Sequence, residues 1–314
     1  MAAEIPIEGI YIGHFTDREG LTGCTAILAP AGVVASVDIR GGAPGTLETA
    51  LLSPFTSVNE LHGLLLTGGS APGLGAAAGV SAFLKERGYG CKTPYARIPL
   101  VAGAVIYDLG LGSATACPLA GDAYRAANAA GRLTEEGSVG AGTGASVGKI
   151  LGEAGAMKGG LAMASVRMAD GVVVSALSVV NALGDVIEED GTILAGAREN
   201  QEFLRSEEHV LSLSQAPSFV GLENTTLSVI ITNAKLDKFG CHMVARSSHD
   251  GMSRAINPVH TPADGDCVFV LATGEKTSNV FQVGVAAARA VAISIRRAVK
   301  VAESLGGVPA FKDL

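Results

Sequence analysis

The sequence contains no tryptophan, and aromatic residues make up only 4% of its 314 residues. Charged residues are also scarce, at 17%, and the net charge is −7. Domains that bind nucleic acids usually carry a basic surface or aromatic side chains on which bases stack. Because this chain has little of either, we expect no nucleic-acid partner.

Long hydrophobic runs are absent as well. No stretch reaches the roughly 18 consecutive apolar residues of a membrane-spanning helix, although hydrophobic residues make up 48% of the chain. Residues 1–7 lack the basic segment and apolar segment of a secretory signal. We therefore predict a cytoplasmic protein with no membrane partner, and a hydrophobic content this high excludes intrinsic disorder.

Cysteine and histidine do not occur at metal-ligand spacing. Five cysteines lie at positions 24, 91, 117, 241 and 267, and no two of them form a C-x-x-C pair. The six histidines form neither an H-E-x-x-H nor an H-x-x-H motif. We expect reduced thiols, no disulfide framework and no metal ion.

Two glycine-rich segments resemble nucleotide-binding loops without matching them. The run Gly73–Gly79 lacks the spacing of a dinucleotide fingerprint. The run 140–150 has Thr143 and Ile150 where a phosphate-binding P-loop needs glycine and a hydroxyl residue. We therefore predict no cofactor, although the second segment places backbone N–H groups around Lys149, an arrangement that suits an oxyanionic group.

The hydrophobic pattern indicates strands, several of them in hairpins, with helices between them. Two short strands joined by a turn at residues 30–32 are expected within residues 24–40, and a polar, less ordered stretch at 201–222. Helices are predicted at 70–88, 235–255 and 281–304, three strands within 171–195, and single strands at 226–232 and 267–272. This order favours a layered α+β sandwich with helices outside the sheets over a doubly wound parallel sheet.

The tripeptide Asn224-Thr225-Thr226 begins the β-rich run and contains a potential nucleophile. If Thr225 attacks the carbonyl group of Asn224, an N→O acyl shift followed by hydrolysis releases a new N-terminus. Thr225 then carries a hydroxyl group and a free α-amine with an unperturbed pKa near 8, which is a built-in general base. The alternative is an ordinary strand start with a hydroxyl-stabilised turn.

Four segments carry a resemblance to a known family. They are the Asn224-Thr225-Thr226 junction, the run HDGMSRAINPVHTPADGD from His249 to Asp266, the run GAGTGASVGK at 140–149, and AVIYD at 104–108. They occur in order across most of the chain. The sequence resembles peptidase family S58, which includes the L-aminopeptidase/D-esterases, the β-peptidyl aminopeptidases and, most similar in these segments, the 6-aminohexanoate-oligomer (nylon oligomer) hydrolases.

The resemblance implies a four-layer αββα sandwich of the N-terminal-nucleophile type that cleaves itself between Asn224 and Thr225. One layered domain, residues 1–314, would then be processed into chains 1–224 and 225–314. The implied activity is hydrolysis of small peptides, β-peptides or 6-aminohexanoate oligomers through an acyl-enzyme on Thr225. The implied assembly is a homo-oligomer of processed heterodimers, with a tetramer favoured.

An acidic pair, Asp264 and Asp266, directly precedes the predicted strand at 267–272. If the strand begins at the pair, alternation places both carboxylates on one side, and two like charges this close raise one pKa. The resemblance implies that they orient the amine and hydroxyl of Thr225. Taken alone, the D-G-D pattern is more often a solvated turn.

Three further residues receive roles from the resemblance. Lys149 is expected beside the nucleophile, with Lys158 as the rival lysine. Asn181 interrupts an apolar run and is expected to donate to an oxyanion, and Tyr107 is expected to line the same pocket. A surface lysine and a half-buried tyrosine are the alternatives that local sequence leaves open.

Two other functions remain alternatives at this stage. One is an acyltransferase of the ornithine acetyltransferase type, which passes the acyl group to an amine instead of water. The other is a small-molecule binding protein that retains the fold and never cleaves itself.

Overall fold

The computed structural model describes residues 2–214 and 224–314. The helices are α1 (Ser70–Gly73), α2 (Ala77–Glu86), α3 (Ala120–Asn128), α4 (Ser206–Ser212), α5 (Lys238–Ser253) and α6 (Val280–Val301). The strands are β1 (Ala2–Glu4), β2 (Tyr11–Asp17), β3 (Thr22–Ile39), β4 (Thr46–Leu47), β5 (Leu61–Thr67), β6 (Cys91–Lys92), β7 (Arg97–Ile98), β8 (Val101–Val105), β9 (Leu133–Glu135), β10 (Ser146–Val147), β11 (Met157–Lys158), β12 (Gly160–Arg167), β13 (Val173–Asn181), β14 (Asp185–Ile187), β15 (Ile193–Ala195), β16 (Arg198–Glu199), β17 (Glu202–Phe203), β18 (Thr225–Ala234), β19 (Ile256–Asn257) and β20 (Cys267–Lys276).

Nine strands form one continuous mixed sheet. Its order is β12-β13-β18-β20-β3-β5-β8-β4, and β2 pairs with β3 outside this path. The β18–β20 and β5–β8 pairs are parallel, while β12, β13 and β18 pair antiparallel. Mixed sheets with helices packed against them define an α+β fold, so the predicted class is confirmed.

The long strand β3 replaces the hairpin that the sequence predicted for residues 24–40, and that prediction is wrong. Its first half pairs with β2 and β5, and its second half pairs with β20. The pairing with β5 shifts register between Leu28 and Val33, where Gly32 has a φ of +81°. A glycine in this conformation introduces an irregularity without reversing the chain, so one strand serves both halves of the sheet.

Three hydrophobic clusters hold the sheet and helices together. Residues of β13, β18 and β20 meet residues of β3 and β5 in the central cluster, including Leu177, Val229, Phe269, Ile27 and Leu64. A second cluster packs α5 and α6 against the outer side of β12, β13, β18 and β20. A third packs α2 and α3 against β5 and the first half of β3. The strand ends that carry the candidate site are therefore anchored on both faces of the sheet.

Most other predicted elements are present with adjusted bounds. The three strands expected within 171–195 are β13, β14 and β15, and the two long predicted helices are α5 and α6. The helix expected at 70–88 is divided into α1, a 3₁₀ turn at Leu74–Ala76 and α2. None of the helices in the described ranges is long and apolar enough to cross a membrane.

The stretch 201–222 is only partly irregular, because it contains α4. The carboxylate of Asp185 accepts hydrogen bonds from the Ser206 backbone N–H at 2.7 Å and from the Ser206 hydroxyl at 2.7 Å. This long-range carboxylate satisfies donors at the start of α4, and local composition does not reveal it. Residues 215–222 of the predicted stretch lie outside the described residues.

Candidate active site

Sheet register brings the candidate nucleophile to a crowded, buried position. Thr225 is the first residue of β18 and lies directly opposite Asn181, the last residue of β13. On the other side, Asn224 forms an isolated bridge with Asp264, just before β20 begins. Thr225, Asn181 and Asp264 are exposed by only 4%, 0% and 2%, so three separate segments converge here away from bulk water.

The carbonyl group of Asn224 accepts two hydrogen bonds. The Thr225 hydroxyl donates to its oxygen at 2.5 Å, and the backbone N–H of Gly265 donates to the same oxygen at 2.8 Å. The Gly265 N–H can stabilise negative charge that develops on this oxygen. The Thr225 contact holds the hydroxyl group next to the carbonyl group, and its proton must leave when Oγ1 attacks. The arrangement favours attack on this carbonyl group.

Gly265 is a functional candidate that the sequence analysis missed. It is buried and is not in the left-handed conformation that a solvated D-G-D turn would show. A Cβ atom at this position would lie 2.7 Å from Thr225 Oγ1 and 2.7 Å from the Ala43 carbonyl oxygen. Only glycine allows the backbone to approach the threonine hydroxyl this closely.

The acidic pair is buried beside β18. Asp266 Oδ1 accepts the backbone N–H of Thr226 at 2.6 Å, and Asp264 Oδ2 accepts the N–H and hydroxyl of Thr261 at 2.9 and 2.5 Å. Because β20 begins at Cys267, the pair precedes the strand instead of opening it. Through its contact with Thr226, Asp266 binds the backbone of the residue that follows Thr225.

Burial raises the pKa of the Asp264 carboxyl to about 6, and the negative charge of Asp266 adds to the shift. An unfolded chain ionises this group near pH 4. The raised pKa means that ionised Asp264 costs folding free energy, and the loss of stability develops as the pH rises from about 4 to about 6.

We accordingly expect Asp264→Asn to change the pH dependence of stability. The difference in Tm between the variant and the parent should move in favour of the variant by about 2–5 °C between pH 4 and pH 8. Thermal melts of both proteins in an uncleaved Thr225→Ala background measure this shift. Parallel pH profiles would contradict the raised pKa.

Lys149, Asn181 and Tyr107 meet in one hydrogen-bonded group. Lys149 is buried, and its ammonium donates to Asn181 Oδ1 at 3.0 Å and to the Asn181 carbonyl oxygen at 3.3 Å. Asn181 Nδ2 donates to the Tyr107 carbonyl oxygen at 3.0 Å. The structure thus brings together three residues separated by up to 74 positions, with Asn181 linking them to Thr225.

The rival lysine, Lys158, has other partners. Its ammonium is fully buried and donates to the carbonyl oxygens of Thr143 and Ala145 at 2.8 and 2.7 Å. Burial lowers the pKa of Lys158 to about 7, against the opposing effect of Asp108. These contacts tie Lys158 to the glycine-rich segment at residues 140–149.

The two lysines are expected to respond differently to replacement by methionine. Lys149→Met should slow self-cleavage and hydrolysis by about 100-fold, because it removes a charge held next to Asn181. Lys158→Met should chiefly lower Tm, because two buried carbonyl groups each lose a partner at a cost of about 1–3 kcal/mol. A gel time course and a thermal melt on each variant separate the two effects, and exchanged outcomes would assign the site role to Lys158.

Two histidines extend the site beyond the predicted residues. His260 Nδ1 lies 2.7 Å from Asp266 Oδ2, and the His260 backbone N–H donates to the same oxygen at 3.1 Å. His249 Nδ1 lies 3.2 Å from His260 Nε2. Both histidines belong to the run that carries the family resemblance, but their spacing of 11 residues fits no ligand or nucleophile pattern.

Only one group of possible metal ligands occurs in the described part of the chain, formed by Glu60, His62 and Cys91. The Cys91 thiol donates to Glu60 at 2.9 Å. Burial is the main cause that raises the pKa of that thiol to about 11, and the hydrogen bond and charge of Glu60 add to the shift. The cationic side chains Lys92 and Arg97 line the same surface depression. This environment disfavours a cation, and the absence of metal and cofactor remains a prediction.

A layered α+β fold thus holds the buried Thr225 hydroxyl group next to the Asn224 carbonyl group. The model of peptidase family S58 matches residues 5–311. The chain therefore belongs to peptidase family S58, as its sequence motifs predicted, and it is a hydrolase acting on amide or peptide bonds.

Individual relatives agree with this assignment. An uncharacterized aminopeptidase of Mycobacterium tuberculosis is 39% identical over 338 aligned positions, covering 98% of this chain and 96% of the relative. A 6-aminohexanoate-oligomer endohydrolase of Paenarthrobacter ureafaciens is 34% identical over 273 positions, covering 85% and 74%. The L-aminopeptidase D-Ala-esterase/amidase of Ochrobactrum anthropi, described as a variant of the Ntn hydrolase fold, superposes with a TM-score of 0.74 at 20% identity, covering 98% and 88%.

Proposed function

We propose that this protein is a self-cleaving amide hydrolase with Thr225 as its nucleophile. The observation that carries the proposal is the Asn224 carbonyl oxygen, which accepts hydrogen bonds from the Thr225 hydroxyl and the Gly265 N–H. Cleavage there divides the single domain 1–314 into chains 1–224 and 225–314. The clusters on both sides of the sheet support a four-layer αββα arrangement that keeps the two chains together.

Self-cleavage proceeds by an N→O acyl shift. Thr225 Oγ1 attacks the Asn224 carbonyl carbon and loses the proton that the departing Thr225 nitrogen takes up. The oxyanion that forms is stabilised by the Gly265 N–H. The Thr225 nitrogen gains a proton as its bond to carbon breaks, which leaves an ester. Water hydrolyses the ester to an Asn224 carboxylate and a Thr225 that carries a free amine and a free hydroxyl group.

The released α-amine then serves as the general base for external substrates. With an unperturbed pKa near 8, a useful fraction is neutral at pH 7 and can accept the hydroxyl proton during attack on a substrate amide. Asp266 holds the neighbouring Thr226 N–H and so orients the new N-terminus. Asn181 lies opposite Thr225 in the β13–β18 pair, and Lys149 donates to it, so we assign both to polarising the substrate carbonyl group. Tyr107, whose carbonyl oxygen accepts from Asn181, is assigned to the same side of the site.

The proposed substrates are small peptides, β-peptides or 6-aminohexanoate oligomers. The names of the relatives, an uncharacterized aminopeptidase and a 6-aminohexanoate-oligomer endohydrolase, support this range. We further propose a cytoplasmic homo-oligomer of processed heterodimers, with a tetramer favoured.

A substrate panel tests the proposal. Processed protein is incubated, with and without EDTA, with amino-acid p-nitroanilides, β-peptides and linear or cyclic 6-aminohexanoate oligomers. Release of amine at equal rates in both conditions is the expected result. Transfer of the acyl group to an added amine instead of water would support an acyltransferase, and binding without turnover in an uncleaved chain would support a binding protein.

A further inference from the structure

A chain of polar groups leads from the acidic pair to the second half of β3. Asp266 Oδ2 faces His260 Nδ1 at 2.7 Å, His260 Nε2 faces His249 Nδ1 at 3.2 Å, and His249 Nε2 faces the Asp38 carbonyl oxygen at 3.2 Å. His249 is fully buried, and the His260 side chain is 15% exposed. This series of polar groups begins and ends on an oxygen atom that accepts hydrogen bonds.

The number of protons that this series of polar groups needs follows from the acceptor oxygen at each of its two ends. Three contacts between two terminal acceptors need three protons, one for each contact, while two neutral imidazole rings together carry only two. The full set of hydrogen bonds therefore requires one additional proton on the pair. With fewer protons, two lone pairs would face each other at a buried contact, which is costly.

The contact with a carboxylate indicates where the additional proton lies, because His260 faces Asp266 while His249 faces the neutral carbonyl group of Asp38. His260 has a φ of +55°, a conformation that few non-glycine residues adopt. This conformation lets its backbone N–H and Nδ1 bind the same Asp266 oxygen. Strain of this kind persists where surrounding contacts enforce it, and a charged ring beside a carboxylate supplies a strong contact.

We propose that His260 is a positioning residue, held as an imidazolium by neutral His249, that offsets one charge of the acidic pair and fixes Asp266 against β18. The inference rests on the proposed function, because Asp266 in turn holds the backbone next to the Thr225 nucleophile. In this arrangement His260 donates from Nδ1 to Asp266 and from Nε2 to His249, and His249 donates from Nε2 to Asp38.

The charges around the pair agree with this assignment. Burial lowers the pKa of His249 to about 4, and the neighbouring His260 adds to the shift, so His249 is neutral at pH 7. Asp38 lies 3.6 Å from His249 Nε2, but Arg40 binds the same carboxylate at 3.0 Å and offsets its charge. On the other side, His260 faces Asp266 and, beyond it, Asp264.

Histidine NMR tests the protonation state without reference to activity. Uncleaved Thr225→Ala protein labelled with ¹⁵N-histidine is measured at pH 7, and signals are assigned with the His260→Asn and His249→Gln variants. The expected result is one imidazolium with two N–H protons at His260 and a neutral, Nε2-protonated ring at His249. A neutral His260 at pH 7 would overturn the proposal, whatever the protein hydrolyses.

A kinetic comparison tests the positioning role. His260→Asn keeps a donor near Asp266 and suits a positive φ, but it has no charge to lose. In His260→Asn, kcat should fall by about 10-fold or more at pH 7 while KM changes little, because the substrate contacts remain and only the placement of the nucleophile is disturbed. The control is His242→Gln, because His242 lies on α5, the helix that carries His249, and its ring contacts the Val37 carbonyl oxygen instead of the acidic pair.

The outcomes separate the inference from the proposed function. An unchanged kcat in His260→Asn, with wild-type hydrolysis intact, would refute the role of His260 and leave the function standing. Absence of hydrolysis and of cleavage in the wild type would refute the function, while the NMR measurement would still decide the charge on His260.

Discussion

Replacement of Thr225 by alanine is expected to leave one uncleaved chain of 314 residues without hydrolytic activity. The variant lacks the hydroxyl group that attacks the Asn224 carbonyl carbon, and without cleavage no α-amine is released to act as a base. A denaturing gel shows processing directly, and mass analysis of the small wild-type chain should find Thr-Thr-Leu-Ser at its start. A small chain that begins at Thr226, or a fully active uncleaved variant, would refute the assignment.

The adjacent threonine provides a matched control. Thr226 is fully buried, and its Oγ1 is a buried polar atom without a hydrogen-bond partner among the described residues. Valine has nearly the same shape and removes that hydroxyl, so Thr226→Val should be processed and active with stability equal to or above that of the wild type. Loss of cleavage in both variants would indicate a general distortion of β18 instead of the loss of a nucleophile.

Gly265→Ala is expected to slow self-cleavage by about 100-fold or more, the scale seen when an oxyanion donor is removed. The new methyl group would lie 2.7 Å from both Thr225 Oγ1 and the Ala43 carbonyl oxygen. One of these contacts is backbone, so the loop itself must shift and carry its N–H away from the Asn224 carbonyl oxygen. The half-time of processing, followed on gels after synthesis of the variant, measures the effect.

Gly121→Ala is the control for this substitution. A Cβ atom at Gly121 meets nothing within 4 Å, and the residue lies within α3, where alanine favours helix over glycine by about 1 kcal/mol. Normal processing with an equal or raised Tm is expected. If Gly265→Ala is cleaved as fast as Gly121→Ala, the Gly265 N–H does not stabilise the oxyanion.

Family membership and the candidate nucleophile were accessible from linear sequence because each is written in contiguous residues. A hydroxyl residue at a family junction, an acidic pair before an apolar strand and a lysine among glycines are short motifs. Strands and helices with strong periodicity, such as β13 and α6, were predicted for the same reason, since their patterns need no information from distant parts of the chain.

Other features depended on which distant segments become neighbours. Residues 24–40 contain a proline and a glycine that indicate a turn, yet β3 continues because both of its halves find pairing partners in the sheet. Helix α4 begins where Asp185 satisfies its first donors, 21 residues away. Local sequence propensity contains no information about either contact. In both places the tertiary contacts determined the structure against the local preference.

The sequence by itself therefore determined the family, the α+β class and the residue proposed to attack. Tertiary structure decided which groups surround that residue. It placed Lys149 rather than Lys158 beside Asn181, brought the Gly265 N–H to the Asn224 carbonyl oxygen, and joined His260 to Asp266. The reason is physical: hydrogen bonds of a few ångströms depend on strand register and loop packing, which only the assembled sheet defines.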